Sequence, residues 1–250
     1  AYGLGYPFFN FYAALPYYIA TGIKWLGGGY LWALKLTWIL GFLTAALAAY
    51  KLALVLFRHP WAALLTALSY TYAPFHLVQV YVRADALSEF VAYAFFPLLL
   101  WLVLRLRERP TARRAAALAA AYAGLLLTHN ISALVFTPFL ALFGVVVGWE
   151  QRRASQVFPD FSPADRSQPC REQKLNAGFD RAYWLWGMAA LALGLLLSMW
   201  FWGPALAERD LVHLEYMTTG YLHYSNHFRG TDLVQPRLFF DYRAGERSYA

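Results

Sequence analysis

Between its first residue and Trp149 this sequence carries three acidic residues, Asp85, Glu89 and Glu108. Apolar runs fill most of that stretch, broken only by short polar or Gly/Pro punctuation. A chain that excludes charge over such lengths is built for lipid, where each backbone polar group must be satisfied inside a helix or a closed barrel. Composition agrees. The chain is 60% hydrophobic, 19% aromatic and 14% charged, against about 25% charged residues in an ordinary soluble domain. The expected fold class is all-α: a polytopic transmembrane helix bundle of about six full spans. An outer interfacial helical segment precedes it, and the start of an extracytoplasmic region follows.

The runs divide as follows. Residues 1–29 are apolar but broken by Pro16 and Gly22 and rich in Tyr, with Trp25 near the end. They read as a helix pair in, or dipping into, the outer interface. Within 30–149 the expected spans are 30–57, 60–80, 86–104, 114–128 and 131–148. Pro74 should kink or end the second of them. Residues 150–181, rich in Gln, Ser, Pro and Arg, read as a flexible connector. A sixth span falls at 183–203, inside a 182–207 segment, with Trp184 and Trp186 at one end and Trp200 and Trp202 at the other. Residues 208–250 mix aromatics with charge and read as the start of an extracytoplasmic domain or a long loop. The opening Ala1-Tyr2-Gly3-Leu4 is neither signal peptide nor charged leader, and the chain reads as a piece of a longer protein.

Charge sets the orientation. Arg105, Arg107, Arg109, Arg113 and Arg114 crowd one loop; Arg152, Arg153, Arg166, Arg171, Lys174 and Arg181 crowd another; Arg58 marks a third. Alternating spans bring all three to one side, which the positive-inside rule makes cytoplasmic. The net charge of +7 is thus a topology signal and does not call for nucleic acid. The expected location is the plasma membrane, multi-pass, with residues 1–29 and 208–250 outside. The single Cys170 leaves no internal disulfide and no cysteine-based metal site.

On the outer side, chemistry concentrates in Tyr81-Val82-Arg83-Ala84-Asp85-Ala86-Leu87-Ser88-Glu89. Asp85 and Glu89 are spaced to share one face of a helix. A charge at mid-bilayer costs about 2.5–3.5 kcal/mol, so this cluster belongs at the membrane surface or in a wet cavity. The carboxylates would serve as base or metal ligands, and Arg83 would bind phosphate. The plainer alternative is that Asp85 caps the following helix while Arg83 pairs with Glu89. His129 and Asn130 end another span on the same side. They would bind phosphate or donate a proton, or else satisfy the free carbonyls of a helix end. Asn10, in an aromatic run with Tyr12, would hydrogen-bond a sugar whose ring stacks on the aromatics, or else form a turn. Tyr81 joins these as a substrate-binding candidate. His223-x-x-x-His227 is a weak metal signal in a Gly-containing loop. No Walker A, Gly-x-Ser-x-Gly, Gly-x-Gly-x-x-Gly or Cys-x-x-Cys pattern occurs, which disfavours ATP-driven transport by this chain alone.

Gly5-Tyr6-Pro7-Phe8-Phe9-Asn10-Phe11-Tyr12 followed by Leu15-Pro16-Tyr17-Tyr18, then Tyr70-Thr71-Tyr72-Ala73-Pro74, the Tyr81–Glu89 stretch and Thr128-His129-Asn130 together resemble a group of bacterial multi-spanning membrane proteins. The group is labelled "6-pyruvoyl-tetrahydropterin synthase-related", and the similarity covers about residues 1–150. That group is similar to the C-type glycosyltransferases. The resemblance implies a helical bundle that moves a sugar from a polyprenyl-phosphate-linked donor to an acceptor on the outer face, with inversion at the anomeric carbon. It implies membrane lipid and the lipid-linked sugar as partners. Asp85 and Glu89 match a second external loop where relatives hold acids for donor phosphate or for a divalent metal, Mg or Mn. The family's usual catalytic acid would then lie before Ala1. A lipid or oligosaccharide transporter and a non-catalytic membrane assembly protein stand as alternatives.

Overall fold

The computed structural model describes residues 12–78, 80, 86–149, 180–209 and 219. Asn10, Tyr81, Arg83, Asp85, the 150–179 part of the basic connector and His213, His223 and His227 lie outside them. The described residues form nine helices and no strand. They are α1 (Leu15–Trp25), α2 (Tyr30–Phe57), α3 (Pro60–Thr71), α4 (Pro74–Val78), α5 (Leu87–Glu108), α6 (Ala112–Thr128), α7 (Asn130–Trp149), α8 (Arg181–Leu197) and α9 (Met199–Ala207).

Helix α2 shows how the sequence writes a lipid-facing fold. Its 28 residues extend about 42 Å at 1.5 Å each, more than the roughly 30 Å hydrocarbon core. Ala33, Thr37, Gly41, Ala45, Ala49 and Ala53 recur every fourth position and are buried, while Leu31, Leu43, Leu47 and Phe57 point outward. Large residues outside and small ones inside is the pattern of helices that associate in lipid, where close backbone approach takes over from the hydrophobic effect. At Gly41 a Cβ atom would meet the Phe90 ring of α5 at 2.6 Å.

Helix α5 is the axis of the bundle. Of its most apolar stretch 61% is buried, against 28% in α2 and 17% in α7, so the other helices wrap it. It runs parallel to α2, since Trp38 and Phe42 pack at an angle against Phe90 near its start and Lys51 lies over the Trp101 ring farther along. It runs antiparallel to α6, which follows after a short turn. Gly124, late in α6, receives the ring of Phe95 from early in α5. Helix α7 turns back at His129, and its Phe136 stacks on Phe96 at 4.4 Å. Helix α8 returns along α6, with Gly194 against Tyr122 and the carbonyl of Ala119.

Three helices, α2, α5 and α7, are long and apolar enough to cross a membrane, and a bent α8–α9 pair brings the number to four if it counts as one span. The architecture is that of a membrane protein. Among the described residues six full spans are not found, although each expected segment contains helix. The 60–80 segment breaks at Tyr72–Ala73, ahead of Pro74, because the residue before a proline is driven out of the helical region. The 114–128 segment becomes a 17-residue Ala-rich helix about 26 Å long, short of the core thickness. The 183–203 segment bends by 63° at Ser198. There the carbonyl of Leu195, freed by the bend, accepts from the Ser198 N–H, the Ser198 hydroxyl and the Trp202 indole. The outer segment shows one helix, α1, among the described residues; Gly27 at φ +102° closes it, a backbone conformation suited to glycine.

The chain divides into two compact units, 1–202 and 203–250. Of the second, the end of α9 is described, where the Glu208 N–H donates to the carbonyl of Pro204 at 2.9 Å.

Candidate functional site

The helix directions sort the polar residues into two ends. At one lie the C-termini of α2 and α5, the N-termini of α3, α6 and α8, and the basic residues. Arg107 donates to Asp180 at 3.0 Å and lies over the Tyr183 ring. Asp180 in turn accepts the Tyr183 N–H at 3.1 Å and so caps α8, while the Tyr183 hydroxyl donates to the Gly144 carbonyl at 2.8 Å. Glu108 pairs with Arg105 at 2.7 Å and with Arg114 at 3.5 Å, and the Arg114 guanidinium also donates to the Arg105 carbonyl. Thr111 caps α6 by accepting the Arg114 N–H. Glu108 is thus explained by its basic loop. This end ties α5, α6, α7 and α8 together.

At the other end lie the start of α5, the α6–α7 junction, α1 and α4. Four of the eight sequence-derived candidates are described, and this end gathers them. Glu89 stands in the first turn of α5. His129 and Asn130 form the junction between α6 and α7. The Tyr12 hydroxyl accepts from that of Tyr17 at 3.5 Å, and Tyr17 packs against Leu87, Phe90 and Val91 of α5.

The N-cap position of α5 is Ala86, which has no side-chain capping hydrogen bond; Asp85, the expected cap, lies outside the described residues. His129 joins the two helices, its backbone serving the end of α6 and its ring an N–H of α7. Its backbone N–H donates to Leu125 and its carbonyl accepts from Ala133, both at 3.0 Å. Its Nδ1 accepts the Ser132 N–H at 3.2 Å and stands 2.7 Å from the Ser132 hydroxyl. Asn130 is exposed, and its side-chain oxygen accepts the N–H of Ile131 at 2.9 Å.

Two buried polar groups at this end were not singled out from sequence. Ser88, 1% exposed, has a hydroxyl with no partner among the described residues. Helical spacing puts it on the stripe of Ala92 and Phe95, the side of α5 that meets α6. His76 of α4, 3% exposed, donates from Nδ1 to the Thr71 carbonyl at 3.2 Å, which leaves Nε2 as the acceptor. That Nε2 also has no partner among the described residues. Rings of Phe42, Phe90, Tyr70 and Tyr93 surround the imidazole, with centroids 4.6–5.9 Å away. A buried polar atom left unpaired costs about 1–3 kcal/mol, so two of them at one end of the bundle stand out.

A cavity of about 350 Å³ lies beside this end between α1 and α2, lined by Tyr17, Thr21, Lys24, Tyr30 and Leu34 among others. Lys24 donates to the Tyr30 hydroxyl at 2.8 Å and sits over its ring. No group of three His, Cys, Asp or Glu side chains able to hold a metal ion occurs among the described residues; of the two acids named as ligands, only Glu89 is among them. No protein-family model, no curated protein and no solved structure matches the chain.

Proposed function

We propose that this is a membrane glycosyltransferase-like protein. It moves a sugar from a polyprenyl-phosphate-linked donor to an acceptor hydroxyl on the outer face of the plasma membrane. The observation that carries the reading is the contrast within the bundle. Arg105, Arg107 and Arg114 are engaged in ion pairs at one end, where a cytoplasmic face would collect positive charge. Glu89, His129, Asn130 and the Ser88 hydroxyl, which has no partner among the described residues, collect at the other.

The chemistry such an end would perform is direct. The acceptor oxygen forms a bond to the anomeric carbon as the bond from that carbon to the lipid phosphate breaks. A carboxylate of the Asp85–Glu89 pair takes the hydroxyl proton, and the leaving phosphate takes the bonding electrons. Arg83 and hydrogen-bond donors stabilise the charge that develops there. If a divalent Mg or Mn ion takes part, Asp85 and Glu89 are the residues to hold it. The donor's hydrocarbon tail lies in the bilayer alongside the exposed leucines of the bundle.

The test is sugar transfer from a radiolabelled polyprenyl-phosphate-sugar pool in membranes carrying the full-length protein. Wild type is compared with Arg83→Ala, Asp85→Asn and Glu89→Gln at matched expression. Loss of about 10²-fold or more in a carboxylate variant, with insertion intact, is expected of a residue that accepts the proton. Unchanged transfer in all three variants removes the cluster from the site. Absence of transfer by wild type with the common donors turns the reading toward a transporter or an assembly protein.

A further inference from the structure

A turn rich in glycine brings the end of α1 back onto the start of α2. Lys24, in the last turn of α1, meets Tyr30 across it. An ammonium group can only donate, so the Tyr30 hydroxyl accepts from Lys24 at 2.8 Å and keeps its own hydrogen to give. Lys24 thus reaches forward over the turn, away from the α1 carbonyls that a lysine in a last helical turn would complement. It belongs to no ion pair among the described residues.

Both residues line the cavity of about 350 Å³ between α1 and α2, a volume in the range of small-molecule sites. Tyr17, Ala20 and Leu34 form much of the remaining wall, with Thr21, whose hydroxyl donates to the Tyr17 carbonyl at 2.8 Å. No carboxylate lines it. One side therefore offers N–H and O–H donors beside a positive charge, and the rest is largely apolar. Trp25, Tyr30 and Trp32 are exposed around the turn, and such aromatics sit at headgroup depth in a bilayer. A phospholipid brings an anionic, acceptor-rich group and an apolar tail to that depth together. A free phosphate would leave the apolar wall bare.

We propose that this cavity binds the headgroup phosphate of an anionic glycerophospholipid, held by Lys24 and the Tyr30 hydroxyl, with the start of an acyl chain against Ala20 and Leu34. Lys35 shows the same charge without a cavity. It is exposed near the same end of α2, lies over the Trp32 ring at 5.5 Å and is not part of the cavity lining. A lysine so placed attracts anionic lipid diffusely; Lys24 adds charge-assisted hydrogen bonds and a shaped wall. The site does not depend on the transfer reading, because its ligand is an ordinary lipid of the surrounding membrane.

The experiment is native mass spectrometry of the full-length protein released from detergent, titrated with phosphatidylglycerol or with phosphatidylcholine of the same acyl chains. Wild type is expected to hold a phosphatidylglycerol more tightly than a phosphatidylcholine. Lys24→Gln should weaken that binding about five- to tenfold, against about twofold or less for Lys35→Gln. Lys24→Arg keeps the charge and should retain most of the affinity. Thr21→Leu, at an exposed position, keeps the charge but crowds the cavity and should also weaken binding. Equal losses in Lys24→Gln and Lys35→Gln would reduce the effect to diffuse attraction and overturn the site. So would phosphatidylcholine held as tightly, or phosphatidylglycerol binding untouched by Thr21→Leu. Full displacement of the lipid by millimolar inorganic phosphate would mark a site for a free anion and overturn the proposal as well.

Discussion

The two ends of this bundle are built from similar polar residues put to different use. At the basic end each described carboxylate has cationic or backbone partners: Glu108 lies between Arg105 and Arg114, and Asp180 joins Arg107 while capping α8. At the aromatic end Ser88 and His76 keep buried polar atoms without partners among the described residues, and the capping position of α5 is an alanine. One end is consistent with holding helices together. The other holds two of the three buried polar side-chain atoms that lack a hydrogen-bond partner among the described residues, a capacity that costs stability and is retained where something else binds. The lesson is that in a lipid-facing chain the count of charges says less than whether they are already spoken for.

Variants can break or sharpen this contrast. The largest effect is expected from Gly194→Val, which disturbs both ends through the frame they share. The new side chain meets Tyr122 at 2.7 Å and the backbone oxygen of Ala119 at 3.0 Å. Helices α6 and α8 must then part, at a cost of about 3 kcal/mol, read as a lower unfolding temperature in detergent. Next is Arg107→Ala. It strips Asp180 of its charged partner while leaving the α8 cap, and should cost about 1–2 kcal/mol, since the pair is partly exposed. Sugar transfer per folded molecule should not change. The smallest stability effect, and the most telling, is Ser88→Ala. A buried hydroxyl with no role in binding is neutral or mildly costly to keep, so its loss should leave stability unchanged or raise it by up to about 1 kcal/mol. Transfer should nevertheless fall. A variant that is more stable and equally active would erase the contrast between the ends.

Much of the fold was legible in the sequence. The 30–57 span is read to the residue, because hydropathy and the glycines before it agree. The 86–104 span runs on to Glu108, because Arg105 and Arg107 extend the helix out of the apolar region, where hydropathy stops but helical propensity does not. The inward stripe from Ala33 to Ala53 was present in the sequence as a period of four, yet an apolar helix reads the same all round until its neighbours are known. The break at Pro74 was visible; the bend at Ser198 was not, since no proline or glycine stands at it.

The site was less legible. His129 and Asn130 stood out as polar residues at a helix end, and the spacing from His129 to Ser132 is that of a capping pair. Its meaning depended on knowing that α7 starts at Asn130. Ser88 drew no notice because serine in a helix start is unremarked without its burial, and His76 was hidden among aromatics that the structure folds around it. Asp180 sat in a basic connector where one acid resembles a solvated charge. Only the packing of α8 against α6 brings it to Arg107.

The central claim is that the end with Glu89 and His129 faces outward while the basic end faces the cytoplasm. Sided cysteine labelling tests it most directly. In a Cys170→Ser background, Asn130→Cys and Arg109→Cys are expressed separately and exposed to a membrane-impermeant maleimide in intact cells, then after permeabilisation. The account requires Asn130→Cys to label in intact cells and Arg109→Cys only after permeabilisation. The reverse pattern, or labelling of both from one side, would contradict it.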